Sequence, residues 1–298
     1  MKILLFGANG QVGWELKDRL APFGDVLVLT RNGIDDYKGD LSDLNGIAET
    51  IHKFQPDVVF NAAAYTAVDK AEDENDLAMR INAEAPTVMA QACKECNALL
   101  VHYSTDYVYP GTGNKPWVET DQIAPLNVYG KSKALGDEGI QNSRCRHLIF
   151  RTSWVYGLHG NNFVKTMLRL AKTHKSLNVV SDQYGAPTSA SFIAQLSIAV
   201  VLNYLNGKAE EGIYHLVPNG YVNWSDFARA IFRQLQQIQG GDFVEVHDIL
   251  TSEYKAKATR PLNSRMNNHK LQSVLPKGCI KDWQYYLERD LSVLIEKK

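Results

Sequence analysis

Gly7-Ala8-Asn9-Gly10-Gln11-Val12-Gly13 follows directly on the apolar run Ile3-Leu4-Leu5-Phe6 and opens the helix-patterned stretch Val12–Leu20. No other feature of the chain restricts its fold as strongly. A buried strand, a glycine turn and a helix in that order form the start of a strand–helix–strand unit. The glycines permit a tight turn and let a pyrophosphate approach the helix N-terminus, where unpaired N–H groups and the helix dipole favour negative charge. Gly7, Asn9, Gly10, Gln11, Val12 and Gly13 are therefore candidate cofactor-binding residues.

The following stretch repeats the same grammar. Val26–Thr30, Asp57–Asn61, Leu99–Ser104 and His147–Thr152 read as strands. Between them, Leu44, Ile47, Ile51 and Phe54 keep a helical period that Pro56 ends, and helices are predicted near Asp76–Cys96 and Tyr129–Gln141. Strands separated by helices imply right-handed crossovers, hence an α/β fold with a Rossmann-type, doubly wound parallel sheet. After Trp154 the pattern loosens. Pro and Gly punctuate Asp182–Thr188, Val217–Gly220 and Gly240–Gly241, between helical stretches at Phe163–His174, Ser191–Leu205 and Trp224–Gln239. The expectation is a dinucleotide-binding domain over 1–150. A smaller, mainly substrate-binding C-terminal α/β domain follows over 151–298, and return of some of its segments to the main sheet is left open.

Composition excludes several function classes. Lys plus Arg number 32 against 33 Asp plus Glu, a net charge of −1, which argues against a protein that holds nucleic acid by its phosphates. The apolar N-terminal run is too short for a signal sequence and leads into the glycine motif. The run Leu196–Leu205 is too short to span a bilayer. A cytoplasmic protein that is not in a membrane is expected. Cys93 and Cys96 form a C-x-x-C, but no second pair sits at zinc spacing, so they are read as neighbours on one helical face.

In the dinucleotide fold an acidic residue about 20 positions beyond the glycines holds the ribose 2′-hydroxyl of NAD. Here the second strand ends in Thr30-Arg31, with no carboxylate to repel a 2′-phosphate and an arginine to pair with one. NADPH is therefore expected to be preferred over NADH. Asp40, with Leu41 beside it, can reach the adenine side. The small residues Ala62, Ala63 and Ala64 end another strand where the cofactor passes, followed by Tyr65 and Thr66.

Tyr129-Gly130-Lys131-Ser132-Lys133 carries Y-x-x-x-K, and residues four apart share a helix face. A lysine ammonium there is expected to lower the pKa of Tyr129, which could then pass a proton to a carbonyl oxygen as hydride arrives. Tyr103-Ser104-Thr105-Asp106 ends a predicted strand and supplies hydroxyls to polarise that oxygen.

With these residues in view, the chain resembles the extended short-chain dehydrogenases/reductases, and within them the dTDP-4-dehydrorhamnose reductase family. The narrower likeness rests on the stretches Asn61–Asp69, Ser104–Val108, Pro125–Gly130, Arg151–Tyr156, Asp182–Thr188 and Arg260–Ser264. The resemblance implies reduction of dTDP-4-dehydro-6-deoxy-L-mannose to dTDP-L-rhamnose, a precursor for O-antigen and lipopolysaccharide. It implies catalytic roles for Thr105, Tyr129 and Lys133: a hydrogen bond to the C4 carbonyl, proton donation, and a hold on the nicotinamide ribose. It also implies substrate contacts by Thr105, Asp106, Trp154 and Arg260. Dimers bridged by acidic residues and a divalent metal occur in this family. Glu15 suits such a role, but Ser191 stands where a second acid is expected, so Mg2+ dependence is doubtful and a homodimer stays open. Related dehydratases carry an Asp-Glu pair after the threonine, whereas Tyr107 follows Asp106 here. Another sugar-nucleotide reductase, an epimerase and a non-catalytic NADP-binding regulatory subunit remain as alternatives.

Overall fold

The computed structural model describes residues 1–240 and 244–296. Its centre is a six-stranded parallel sheet built from β1 (Lys2–Phe6), β2 (Asp25–Leu29), β3 (Val58–Asn61), β4 (Leu99–Thr105), β5 (His147–Thr152) and β7 (Gly212–His215). The spatial order is β2-β1-β3-β4-β5-β7. Strand β6 (Ser176–Val180) lies outside this sheet and pairs in parallel with β8 (Glu245–Ile249), and neither was anticipated from sequence. The order reverses direction at β1 and β3, and a crevice outside the carboxyl ends of strands at such a switch point is where ligands bind in open α/β sheets.

Side chains alternate along the strands and so feed two cores. Ile3 and Leu5 of β1 face helices α1 (Gln11–Leu20) and α6 (Ala190–Leu205), joining Leu16, Phe192 and Ile193. Leu4 and Phe6 face the other way, with Ile47 and Ile51 of α2 (Leu44–Phe54) and Met89 of α3 (Ala85–Glu95). A third cluster belongs to the second half alone. There Val164 and Leu168 of α5 (Phe163–Leu170) meet Phe227 and Ile231 of α7 (Trp224–Gln239) and Leu287 of α8 (Trp283–Glu296).

Two helices differ from expectation. The helix foreseen over Asp76–Cys96 is divided: Asn75–Met79, a widened π turn over Arg80–Glu84, then α3. Pro86 gives the reason, because it has no N–H to offer the Asn82 carbonyl four residues back and its ring crowds that oxygen. The helix foreseen to His174 stops at Leu170, and the chain turns there into β6. Among the described residues no helix is long and apolar enough to cross a membrane. Cys93 is buried in α3, Cys96 caps its end, and all four cysteines are free thiols.

Candidate active site

A cavity of about 810 Å³ opens over the carboxyl ends of β1, β3 and β4. The glycine turn and the Ala62–Ala64 segment form facing walls in very close approach. Gly7 has φ +78°, and a β-carbon there would lie 2.5 Å from the Ala63 nitrogen. Gly13 is different: its missing β-carbon would sit 2.1 Å from the Gly7 carbonyl oxygen. It therefore packs helix α1 beneath the turn instead of facing the cavity, and it is absent from the lining. Thr30 is likewise outside the lining, its carbonyl accepting from Gly33 N–H at 3.0 Å, while Arg31, Asp40 and Leu41 do line it. Asp40 spends one carboxylate oxygen on the Ser42 backbone and hydroxyl, at 2.9 and 2.8 Å. Asn9, Gly10, Gln11 and Val12 line the cavity, as do Tyr65, Thr66 and Tyr103.

Part of the cavity wall comes from the second half and was not anticipated. Gly160 and Asn161 border the opening. Their loop is fastened to the glycine turn: His159 Nε2 lies 3.0 Å from the Asn9 carbonyl and its ring stacks on Trp14. Asn162 Nδ2 donates to Gln11 Oε1 at 3.0 Å, and Gln11 donates to the Val155 carbonyl at 3.4 Å. The Gly157–Asn162 stretch carries two glycines and two asparagines, a turn signal, but nothing local says where the turn lands.

Helix α4 (Val128–Ser143) carries the chemical residues. Asn127 caps it, accepting from Gly130 N–H at 2.8 Å and donating to the Thr259 carbonyl at 2.8 Å, which ties the helix start to the C-terminal segment. Tyr129 and Lys133 both face the cavity. Thr105 lies near enough to the Tyr129 hydroxyl to favour its ionised form. Thr105 Oγ1 also donates to Asp106 Oδ1 at 3.1 Å and accepts from Tyr107 N–H at 3.2 Å.

The electrostatics correct one expectation. Lys133 does not lower Tyr129: its ammonium donates instead to the Tyr103 carbonyl at 2.7 Å and lies 2.9 Å from His102 Nε2. Burial pushes Tyr129 up to about 12, against a smaller opposing pull from Thr105. The phenol is thus held in its protonated form, the state from which an acid must start. Burial also lowers Lys133 to about 8, opposed by the charge of Asp137. Asp106, buried beside Thr105, is raised to about 7 by desolvation, and its Oδ2 has no hydrogen-bond partner.

Trp154 and Arg260 do not line the cavity. Trp154 has φ +48°, a strained region for a large side chain, and its ring stacks on Trp224 with centroids 3.6 Å apart and planes 14° from parallel. Trp224, which the sequence reading missed, is held by a 3.2 Å hydrogen bond from its Nε1 to Gln183 Oε1 and by Phe163. Arg260 donates from Nη2 to Asp69 Oδ2 at 2.8 Å, while its Nη1 is buried without a partner. Tyr107 packs edge-on against Tyr129, with centroids 5.5 Å apart, so an aromatic ring fills the place beside the acid.

The surroundings of Glu15 do not fit a divalent cation. Its carboxylate is paired with Arg19 at 2.5 Å, and Arg19 also donates to Ser191 at 3.0 Å. Among the described residues no group of three or more His, Cys, Asp or Glu is arranged to hold a metal ion.

Comparison with known proteins agrees in sequence and in shape. Residues 1–294 match the family described as RmlD substrate binding domain. The dTDP-4-dehydrorhamnose reductase of Salmonella typhimurium is 49% identical over 273 residues, covering 91% of each chain. That of Escherichia coli K12 is 46% identical over 300 residues, covering 99% of this chain and 98% of its own. Among solved structures, a dTDP-4-dehydrorhamnose reductase from Clostridium acetobutylicum superposes with a TM-score of 0.89 at 35% identity, covering 99% of this chain and 100% of its own. One from Bacillus anthracis in complex with NADP superposes with a TM-score of 0.86 at 34% identity, covering 98% and 99%.

Proposed function

The chain belongs to the RmlD substrate-binding-domain family, and from that premise we propose that it reduces dTDP-4-dehydro-6-deoxy-L-mannose to dTDP-L-rhamnose, with NADPH preferred over NADH. The observation that carries this reading is the placing of Tyr129 and Lys133 together on the wall of the cavity that begins in the glycine turn, with Thr105 near Tyr129. The cradle fits a dinucleotide. Its turn would be filled by any β-carbon at Gly7, and its polar rim ends at Arg31, which suits a 2′-phosphate.

In this reading Asn9, Gly10, Gln11 and Val12 hold the pyrophosphate, with Gly7 and Gly13 shaping the turn. Asp40 and Leu41 flank the adenine, and Arg31 pairs with the 2′-phosphate. Ala62, Ala63, Ala64, Tyr65, Thr66 and Tyr103 bound the nicotinamide half, and Lys133 holds its ribose. Bound NADPH supplies the hydride. Thr105 donates to the C4 carbonyl oxygen and Tyr129 delivers its proton there as negative charge develops, an interaction that counts most in the transition state. Asp106, Trp154 and Arg260 orient the sugar diphosphate. The orphaned atoms Asp106 Oδ2 and Arg260 Nη1 support a polar ligand at that end. Tyr107, standing where a dehydratase needs a carboxylate base, supports reduction over elimination of water.

The chain then divides in function into cofactor binding over 1–150 and mainly substrate binding over 151–298. We further propose a cytoplasmic enzyme that supplies rhamnose for surface polysaccharide of the O-antigen kind. NADPH carrying deuterium on its transferring face tests the reaction. Incubated with enzyme and the keto-sugar, it should give dTDP-L-rhamnose with deuterium at C4 by NMR. Deuterium at another carbon, or exchange at C3 or C5 without net reduction, overturns the assignment in favour of an epimerase or dehydratase.

A further inference from the structure

His102 lies in the middle of β4 with none of its surface exposed, and Lys133 is 1% exposed. The two meet at 2.9 Å, through His102 Nε2. On the other side of the ring, Nδ1 lies 3.1 Å from the Asn61 side-chain amide, and Asn61 Oδ1 accepts from Ala63 N–H at 3.3 Å. Lys133 and Ala63 both border the cofactor cavity, whereas His102 and Asn61 are absent from its lining. A buried chain of three side chains therefore joins two residues of the lining.

Proton accounting gives this chain two consistent states. A neutral imidazole has one N–H donor and one acceptor, and burial beside the Lys133 charge holds His102 neutral, well below its ordinary pKa. With Lys133 charged, Nε2 accepts from the ammonium. Nδ1 then carries the proton and needs the Asn61 amide oxygen, so the amide turns over from the orientation above, in which Nδ2 faces Nδ1 and Oδ1 takes the Ala63 N–H. With Lys133 neutral, Nε2–H donates to the amine and Nδ1 accepts from the Asn61 amide nitrogen. The Asn61 oxygen is then released to Ala63 N–H.

We propose that His102 is a positioning residue for the reduction: it accepts a hydrogen bond from the Lys133 ammonium and couples the charge on that lysine, through Asn61, to the Ala63 backbone in the lining of the cofactor site. The proposal rests on the reading of Lys133 as a residue of the reductase site. The other groups facing Lys133 do not replace this contact. On β4 the Tyr103 carbonyl takes one proton of the ammonium. On α4, Tyr129 stands one turn before Lys133 and Asp137 one turn after it. Asp137 acts by charge, and one of its oxygens is already shared between Ser104 at 2.9 Å and Arg151 of β5 at 3.1 Å. Asp106 lies nearer Thr105. Without His102 the buried ammonium has one protein acceptor left among the described contacts.

Two substitutions separate the two sides of the ring. His102→Gln places an amide oxygen near the Nε2 position and keeps an acceptor for Lys133, whereas His102→Asn reaches only as far as Nδ1 and loses it. A hydrogen bond to a charged group corresponds to about one to two pKa units. Loss of an acceptor for the ammonium favours the neutral amine, so the alkaline limb of the kcat–pH profile should move down by about one to two pH units in His102→Asn. It should stay in place in His102→Gln. Equal movement in both variants, or none in either, overturns the proposal. If the variants fail to fold, ¹⁵N NMR of the wild-type imidazole decides. Below the limb Nε2 should be unprotonated with the proton on Nδ1, and above it the tautomer should reverse. A single tautomer across that range overturns the coupling. The NMR readout uses no sugar substrate, so it stands even if dTDP-4-dehydro-6-deoxy-L-mannose is not turned over.

Discussion

The glycine turn and the proposed substrate end of the site are built on opposite principles. The turn is backbone against backbone: Gly7 against Ala63, and Gly13 against Gly7, at distances that leave no room for one carbon. The proposed substrate end is side chain against side chain: Trp154 on Trp224, Arg260 with Asp69, Tyr107 on Tyr129, and Thr105 with Asp106. A backbone cradle is specified by short contiguous stretches and fails when any position gains bulk. A side-chain lip is assembled from distant residues and degrades by degrees as individual pairs are lost.

That contrast can be broken most severely at its junction. Tyr129→Phe removes only a hydroxyl at the point where cradle and lip meet, and loss of a general acid costs about 10²–10⁴-fold in rate. Steady-state kinetics should show that fall in kcat while an NADPH titration stays near wild type. An unimpaired Phe variant would remove Tyr129 from the mechanism. Next in size is Gly13→Ala. Its β-carbon meets the Gly7 carbonyl, and overpacking of this kind costs about 1–3 kcal/mol. Calorimetry should show a lower Tm together with weakened NADPH binding, and a Tm equal to wild type would show that the turn is looser than described. Arg31→Ala should be narrower. Removing a charge-assisted contact weakens NADPH by roughly 10- to 100-fold while leaving NADH nearly unchanged, as fluorescence titration of the two cofactors will read. Smallest is Trp224→Leu, which leaves Trp154 in place but unstacked. An aromatic pair contributes about 0.5–1.5 kcal/mol, so KM for the sugar should rise by up to roughly 10-fold with cofactor affinity intact. Equal losses for sugar and cofactor would mean that the lip and the cradle are not separable.

The same contrast explains what could be read from the chain alone. Strand, turn and helix at residues 2–20 follow from local pattern, and so do the β3 and β4 ends, because each is a run of neighbours. Y-x-x-x-K was legible as a helix face. Its electrostatics were not, since they depend on how deeply α4 is buried and on His102 and Tyr103 from another strand. Trp224 and the Gly157–Asn162 loop carry no motif; they reach Trp154 and the glycine turn only through contacts with residues far away in sequence. Gly13 and Thr30 show the converse. Membership in a motif placed them in the cofactor set, but one supports the turn from below and the other supplies its carbonyl to a neighbouring loop.

Strand β7 enters the main sheet after the chain has already built much of the second half, and it pairs along the whole of its length with β5, from Leu148 to Arg151. Helix α6, which precedes it, covers the same face of the sheet as α1. A fragment ending near residue 150 would therefore expose a bare parallel edge at β5 and the apolar patch that Phe192 and Ile193 cover, the combination that drives edge-to-edge association. Swapping second halves between relatives to exchange sugar specificity has to carry α6 and β7 with the recipient's first half. The crossover points therefore have to fall outside residues 190–215, and not at the proposed border near residue 150.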